Sequence, residues 1–341
     1  MTAVVPLPAP PVPTDPPATV LVTVAVPTFR RPAELRAVLP LLLAQARELT
    51  ARAGGHHRAS LLVVDNDPAR TAEAVVAELA APEVRYVGEP VPGIAVVRDR
   101  AVAESAGARL LAFIDDDERP LPGWLAALVD TWEQTRAVAV SGRVLAEYTG
   151  ELDPWLRAGD FFVRRSLPTG SAIDVAATNN LLLDLDQVRV LGVRFESALA
   201  LAGGEDSLFS RSLARAGGRL VWCDEAVVVD VVPRERMTRR WVLTRAWSHG
   251  NASLLTDLRL TAGALPRARV RARGVVRGLL RVAGGGARWC WGRGTGSPRH
   301  QARGLRALLR GAGMAAGACG VVFQEYARSG RRWQLSRTPA R

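Results

Sequence analysis

Short apolar runs alternate with segments of helical spacing over the first third of the chain, and this alternation limits the fold more than any other feature. Four runs rich in apolar and β-branched residues are predicted to be strands: 19–26, 61–64, 84–87 and 110–114. The segments between them are predicted to be helices: 32–49, 71–79 and 94–107. Strands and helices that alternate in this way predict an α/β fold with a mostly parallel central sheet flanked by helices.

Two of the predicted strands end in aspartate. Asp65 follows directly on the strand at 61–64, and Asp115 follows directly on the strand at 110–114. In a parallel sheet the carboxyl ends of the strands share one edge, and ligands bind in the crevice outside that edge. We therefore expect both side chains to lie at one crevice, which is the candidate binding site.

Asp115 is the first of three consecutive aspartates. Side chains alternate along extended backbone, so Asp115 and Asp117 are expected on the same side. Two carboxylates can hold a hard divalent cation and leave its other positions to diphosphate oxygens and water. The cation would stabilise the charge on a departing diphosphate. The alternative is an acidic turn ahead of a helix that begins near Pro122.

Four motifs in this order resemble those of the family 2 glycosyltransferases, which have the GT-A fold. They are VTVAVPTF followed by RRP, LVVDN, FIDDDE and GGED, at 22–32, 62–66, 113–118 and 203–206. The resemblance covers roughly residues 19–250. It implies a GT-A-type nucleotide-diphospho-sugar transferase fold with Mn²⁺ or Mg²⁺ as cofactor. It also implies an inverting enzyme that moves a sugar from a nucleoside-diphosphate sugar to the hydroxyl of a glycan or lipid-linked acceptor.

The resemblance further implies roles for individual residues. Asp117 and Asp115 would bind the cation, and Asp206 would be the catalytic base that accepts the proton of the acceptor hydroxyl. Glu205 is the alternative base, because neighbouring carboxylates repel and the pKa of one is raised. The remaining predicted residues would bind the nucleotide sugar: Pro27, Thr28, Arg30, Asp65, Asn66, Arg98, Asp115, Asp116 and Asn180.

Charge is distributed unevenly along the chain. From Arg234 onward there are 23 arginines and three acidic residues, whereas acidic residues outnumber arginines before that point. A basic segment of this kind attracts polyanions such as anionic lipid, nucleic acid or phosphorylated substrates. Within it, His249 either contacts the phosphates or the metal, or is simply a packed or solvated residue.

The segment 303–312 has the pattern of a basic amphipathic helix. Leu305, Leu308, Leu309 and Ala312 recur at helical spacing, and the arginines fall on another face. The uncharged run at 311–323 is too short to span a bilayer. We predict peripheral contact with an anionic membrane through this Arg-rich tail. The alternative is a charged, solvated face that closes the fold.

The composition also predicts a domain organisation. Residues 1–18 hold seven prolines and are expected to be a disordered lead-in without the features of a signal peptide. Residues 19–255 would form the catalytic domain, and 256–341 an Arg-rich helical extension. Three widely separated cysteines indicate neither a disulfide framework nor a zinc site, which fits a reducing compartment. The predicted location is cytoplasmic, peripheral on the inner face of the cell membrane.

Other classes of protein fit the sequence less well. A sugar-phosphate nucleotidyltransferase would carry a glycine-rich basic loop after the first strand, and 28–32 contains no glycine. A phosphatase with an aspartyl nucleophile would have its aspartates after the first strand. A catalytically silent sugar-nucleotide or polyanion-binding protein would not need both acidic motifs. We do not expect nucleic acid as a partner, because the chain has no recognisable nucleic-acid-binding motif.

Overall fold

A computed structural model describes residues 19–52, 56–196, 203–323 and 333–335, the last with backbone only. The predicted lead-in at 1–18 lies outside the described residues. The strands are β1 (Val20–Thr28), β2 (His57–Asp65), β3 (Val84–Gly88), β4 (Leu110–Ile114), β5 (Glu118–Pro120), β6 (Ala139–Tyr148), β7 (Ala172–Ile173), β8 (Asn180–Asp184), β9 (Leu220–Val232), β10 (Val321–Phe323) and β11 (Trp333–Leu335). The helices are α1 (Pro32–Ala51), α2 (Glu73–Leu79), α3 (Ile94–Glu104), α4 (Trp124–Thr135), α5 (Pro154–Ala158), α6 (Leu185–Leu191), α7 (Glu205–Arg215), α8 (Arg239–Arg259), α9 (Ala264–Gly294) and α10 (Pro298–Ala318).

The large sheet has the strand order β3-β2-β1-β4-β8-β6-β9-β5, and β7 pairs with β9. The pairings among β3, β2, β1 and β4 are all parallel, as the alternation of strands and helices predicted. Beyond β4 the sheet is mixed, because β8 runs antiparallel to both β4 and β6. The predicted α/β architecture with flanking helices is confirmed. The first four strands form a wholly parallel half, and in the mixed half β6 pairs in parallel with β9.

Two apolar layers cover the sheet. On one face, α1 and α4 bury residues such as Leu42 and Trp124 against β1, β2 and β4. On the other face, α3, α6 and α7 bury residues such as Val97 and Phe209. Full burial of a side chain of this size contributes about 1.5–3 kcal/mol to folding. The two layers therefore fix the edge of the sheet at which β1, β2 and β4 end.

Helices α8, α9 and α10 follow the sheet and pack together through glycine. A Cβ atom at Gly250 of α8 would lie 1.9 Å from the carbonyl oxygen of Arg310, and one at Gly313 of α10 would lie 2.0 Å from that of Trp247. Helix α9 turns Gly274, Gly278, Gly285 and Gly292 inward. The helices thus approach to backbone contact. Helix α8 also runs through the predicted boundary between 255 and 256, so no break between elements marks that boundary.

The amphipathic helix predicted at 303–312 is part of α10. Its leucines are only half-buried, and they contribute to packing within the helical extension. Leu305 packs against the aromatic cluster around Trp155 and Phe162, and the backbone of Leu308 faces Gly285 of α9. The apolar face predicted for a membrane is therefore used in part to hold α10 in place.

Candidate active site

The aspartate run follows β4 and lies beside the end of β1. Asp116 is buried and accepts hydrogen bonds from Thr28 Oγ1 at 2.7 Å and from Arg31 Nη1 at 2.9 Å. The same nitrogen of Arg31 donates to Asp117 Oδ2 at 2.7 Å. One guanidinium thus bridges two neighbouring carboxylates. The sequence analysis did not assign Arg31, although its place directly after β1 was a usable signal.

Asp115 follows directly on the last residue of β4. Its side chain is 38% exposed, yet protein atoms surround the carboxylate on most sides. Burial, opposed by Arg98 and reinforced by Asp117 and Asp116, raises the pKa of Asp115 to about 7. The arrangement therefore concentrates negative charge at a place that a small ligand can reach.

These carboxylates suit a divalent cation. Hard cations prefer carboxylate oxygens, and a cation beside Asp115 would offset the burial and the repulsion that raise its pKa. Among the described residues, no group of three or more histidines, cysteines and acids converges as a ready-made metal site. Asp115 and Asp117 could thus supply two ligands, and the substrate and water would complete the coordination. Arg31 and Arg236, whose Nη2 lies 3.7 Å from Asp117 Oδ2, now balance the charge of Asp117.

Arg98 joins the aspartate run to the GGED motif. It extends from α3, is 6% exposed, and donates from Nη1 to Oε1 of Glu205 in the first turn of α7. Its Nη2 lies 3.9 Å from Asp115 Oδ1. Two acidic motifs that are far apart in the sequence therefore line one site. The sequence analysis placed Arg98 near the donor but did not predict this pairing.

Glu205 and Asp206 are neighbours in different environments. Glu205 is 3% exposed, and its Oε2 has no hydrogen-bond partner among the described residues. Burial, which Arg98 opposes, raises the pKa of Glu205. The Asp206 carboxylate is only partly buried and accepts a hydrogen bond from the backbone N–H of Ser207 at 2.6 Å. Asp206 is therefore the more accessible of the two carboxylates.

Asp65 and Asn66 reach the predicted sheet edge, but both are buried. The Asp65 carboxylate accepts hydrogen bonds from the backbone N–H groups of Asp67 and Ala72 and from the Tyr86 hydroxyl, at 2.8, 3.1 and 3.2 Å. Asn66 donates to the carbonyls of residues 89 and 91 and accepts from the N–H of residue 93. These bonds fix the loops after β2 and β3. Direct contact of Asp65 and Asn66 with a nucleotide stays a prediction.

The residues predicted at the end of β1 are divided between the sheet and the surface. Pro27 pairs with Val64 in the parallel register of β1 and β2. Arg30 has a left-handed backbone with φ 56°, and its side chain is 65% exposed. Its Nε donates to Asp67 Oδ1 at 3.2 Å. Arg30 is therefore accessible to a ligand, whereas Thr28 is engaged with Asp116.

Asn180 is a structural link between strands. Its side chain is 1% exposed, donates to the carbonyls of Arg143 and Ala226 at 2.9 and 2.8 Å, and accepts from Trp124 Nε1 at 2.9 Å. Both amide hydrogens are thus used inside the protein. These hydrogen bonds join β6, β8 and β9. A contact between Asn180 and the donor stays a prediction.

Glu118 is a buried acid that belongs to the motif at 113–118 but had no predicted role. It is 3% exposed and accepts from Asn179 Nδ2 at 2.5 Å, while its Oε2 has no hydrogen-bond partner among the described residues. Burial and the nearby Asp115 raise its pKa well above the usual range. It pairs with Asp230 in the β5–β9 register. The second half of the sheet thus adds acidic groups behind the aspartate run.

Comparisons with known proteins agree with this geometry. The family model described as Glycosyl transferase family 2 matches residues 23–184. The succinoglycan biosynthesis protein ExoM of Rhizobium meliloti (strain 1021) is 35% identical over 236 residues, which cover 68% of this chain and 74% of that protein.

A solved structure shares the fold. The structure of GalNAc-T7 with UDP, GalNAc and Mn²⁺ has a TM-score of 0.50 at 12% identity, over 69% of this chain and 51% of that one, so this chain spans about half of its length. The structure of S. aureus TarS 1-349 in complex with UDP-GlcNAc has a TM-score of 0.49 at 12% identity, over 73% of this chain and 70% of that one. The predicted GT-A fold is confirmed. The match to ExoM over most of its length, together with the family model over the segment from β1 to β8, shows that this chain is a glycosyltransferase of family 2.

Proposed function

We propose that this enzyme transfers a sugar from a nucleoside-diphosphate sugar to an acceptor hydroxyl with inversion at the anomeric carbon. The observation that carries the proposal is the position of Arg98, which contacts Glu205 and lies 3.9 Å from Asp115. It brings the carboxylates suited to the donor diphosphate and those suited to the acceptor to one crevice. An attacking hydroxyl and a departing diphosphate can then occupy opposite faces of the sugar.

Asp206 is the base in this proposal. A general base must reach the proton that it accepts, and Asp206 is accessible whereas Glu205 is buried and paired with Arg98. Asp206 would take the proton of the acceptor hydroxyl as its oxygen bonds to the anomeric carbon and the bond to the diphosphate breaks. Glu205 would hold Arg98, and through it the position of Asp115.

A divalent cation, Mn²⁺ or Mg²⁺, is the proposed cofactor. When bound, it neutralises charge on the diphosphate leaving group. Asp115 and Asp117 are the residues that would hold it. The Mn²⁺ and UDP in the GalNAc-T7 structure support a divalent cation as cofactor. Asp116 would keep Thr28 and Arg31 in place beside them. The name of the ExoM relative supports an acceptor in polysaccharide assembly, in which the growing glycan supplies the hydroxyl.

The experiment is release of nucleoside diphosphate from a panel of sugar nucleotides, with Mn²⁺, with Mg²⁺ and with chelator. We expect metal-dependent release that Asp117→Asn and Asp206→Asn abolish. Asp186→Asn is the matched control, because Asp186 lies on the surface in α6 and pairs with Arg189. The anomeric configuration of the product, read by NMR, tests inversion. Donor binding without release in the presence of membrane extract would instead favour a silent binding protein.

The basic helices are proposed to contact an anionic membrane at its cytoplasmic face. Helix α9 turns its glycines inward and leaves Val276, Leu279, Leu280 and Trp291 between 56% and 67% exposed. The helix contains eight arginines and no acidic residue. Large apolar side chains beside arginines suit the boundary between lipid headgroups and acyl chains. None of the described helices is long and apolar enough to cross a bilayer.

Co-sedimentation with vesicles tests this contact. We expect binding to vesicles that contain phosphatidylglycerol, weaker binding to phosphatidylcholine alone, and a decrease with added salt. Leu279→Gln with Leu280→Gln should reduce binding. Val190→Gln should not, because Val190 is 87% exposed but lies on α6. Equal binding by the α9 variant and the native chain would refute the contact.

A further inference from the structure

Four basic side chains lie near one another where α8, α10 and the segment after α5 come together, because three of them are arginines whose charges act on the fourth, a histidine. We call them the cationic cluster: Arg164, His249, Arg306 and Arg310. Backbone contact between α8 and α10 brings His249 next to Arg310, because Gly250 packs directly on the carbonyl of Arg310. Arg306 lies one turn from Arg310, donates to the carbonyl of Asp160 at 3.2 Å and stacks over the ring of Phe161.

Two guanidinium charges of the cationic cluster have no carboxylate within ion-pair distance among the described residues. Arg310 forms no ion pair or side-chain hydrogen bond there, and its Nε is buried without a partner. Arg306 donates to a carbonyl and lies over an aromatic ring, and the Asp160 carboxylate, which pairs with Arg303, offsets only part of its charge. Burial, followed by neighbouring arginines, lowers the pKa of both. Half-buried positive charge with too little counter-charge is unfavourable, so the cluster favours an anion.

His249 adds a hydrogen-bonding group that solvent can reach. Its side chain is exposed, yet protein atoms surround it closely. Burial and nearby guanidinium groups lower its pKa to about 3; these groups belong to Arg245, Arg310, Arg164 and Arg306. The imidazole is therefore neutral at physiological pH. The cluster can offer an anion the guanidinium groups of Arg306 and Arg310 and a neutral imidazole.

The cationic cluster borders the catalytic crevice at two points. His249 lies one helical turn before Ala252, which packs against Gly204, the residue directly ahead of Glu205. Arg164 Nη2 lies 3.0 Å from Asp230 Oδ2, and Asp230 pairs with Glu118 beside the aspartate run. The cluster therefore lies close to the GGED motif, where the base and the acceptor are proposed. It is a cation-rich place, separate from the carboxylates proposed for the donor.

We propose that the cationic cluster binds a phosphate or diphosphate group of the acceptor, which orients the acceptor hydroxyl toward Asp206. The contacts described above support the anion site itself, whereas its assignment to the acceptor rests on the proposed function. Arginine suits this ligand because its planar fork matches phosphate oxygens. The phosphate could belong to a soluble sugar phosphate or to a lipid-linked one.

Inorganic pyrophosphate is the first probe, used with chelator so that no metal site competes. We expect calorimetric binding by the native chain, and affinity about tenfold or more weaker in Arg306→Gln with Arg310→Gln. Arg293→Gln, at an exposed position on α9, should bind normally. Asp117→Asn should also bind normally, because it affects only the donor site. Thermal unfolding checks that the double variant is folded.

NMR of the histidine side chains gives a second readout. The chain has four histidines, and loss of a signal in His249→Gln assigns the one of interest. A bound anion offsets the guanidinium charges, so pyrophosphate should raise the pKa of His249 from about 3 in the native chain. An unchanged His249 titration at saturating pyrophosphate would refute the site.

Competition separates the sources of the phosphate. Displacement of pyrophosphate by dodecyl phosphate but not by glucose 1-phosphate would support a lipid-linked acceptor. Displacement by both compounds would support a soluble acceptor. Displacement by phosphatidylglycerol vesicles as strong as by dodecyl phosphate would overturn the proposal in favour of a lipid headgroup. Unweakened binding by the double variant, or loss in Asp117→Asn, would also overturn it. A chain that binds pyrophosphate but releases no nucleoside diphosphate would refute the proposed function. The assignment of the anion to the acceptor would then fail too, whereas the anion site itself would stand.

Discussion

Alanine at Gly250 should destabilise the protein by forcing α8 and α10 apart. The added Cβ would lie 1.9 Å from the carbonyl oxygen of Arg310. Since non-bonded atoms rest at about 3.5 Å, the helices would have to separate by roughly 1.5 Å, which forfeits much of the dispersion energy along their contact. Overpacking of this kind costs about 1–3 kcal/mol, and the higher helix propensity of alanine returns up to about 1 kcal/mol. We expect a net loss of about 2 kcal/mol in the free energy of unfolding.

Urea unfolding followed by circular dichroism measures this loss. Gly313→Ala should behave alike, because its Cβ would lie 2.0 Å from the carbonyl oxygen of Trp247. Gly284→Ala on α9 is the matched control, since nothing lies within 4 Å of its added Cβ. It should gain about 0.5–1 kcal/mol through helix propensity. Equal stability of the Gly250 and Gly284 variants would show that α8 and α10 are not in backbone contact, and the reasoning would fail.

Two further substitutions probe the buried polar groups of the site. Arg98→Met should lower the free energy of unfolding by about 3 kcal/mol in urea, because the Glu205 carboxylate stays buried without its cation. The pKa of Glu205 is already raised and would rise further, so the folded state of the variant binds the proton more tightly. The loss of stability should therefore be smaller at mildly acidic than at alkaline pH. A loss that does not change with pH would contradict this account. Asn180→Leu should cost at least about 3 kcal/mol in thermal unfolding, because two buried carbonyls and the Trp124 indole lose their partners. A loss below about 1 kcal/mol would mean that water replaces the amide.

The parts of the site that could be predicted are those that local sequence determines. An apolar run that ends in aspartate places its carboxylate at the sheet edge whatever follows, which is why Asp115 was found from the strand before it. The pairing of Arg98 with Glu205 joins residues 107 positions apart, and no local pattern encodes it. Asn180 was predicted to bind the donor because of the resemblance to the family. Its burial depends on β6 and β9, whose positions follow from the whole sheet.

The same limit explains the helical extension. The hydrophobic periodicity predicted the helix around Leu308. It indicates which face of the helix is apolar, but not which element packs against that face. Here glycine decides the packing, because a residue without a side chain lets another backbone come close. The large apolar residues of α9 alone would therefore predict its contact with α10 on the wrong side of the helix.

The inward glycines of α9 have a consequence for how the chain can vary. Main chain and glycine make the contact with α10, so the large outer side chains, such as Leu280 and Trp291, have little part in holding the helices together. A scan of all substitutions should show intolerance at Gly278 and Gly285 and, for folding alone, wide tolerance at the outer positions. Relatives could thus change the outer surface of this helix freely while the core of the extension stays the same.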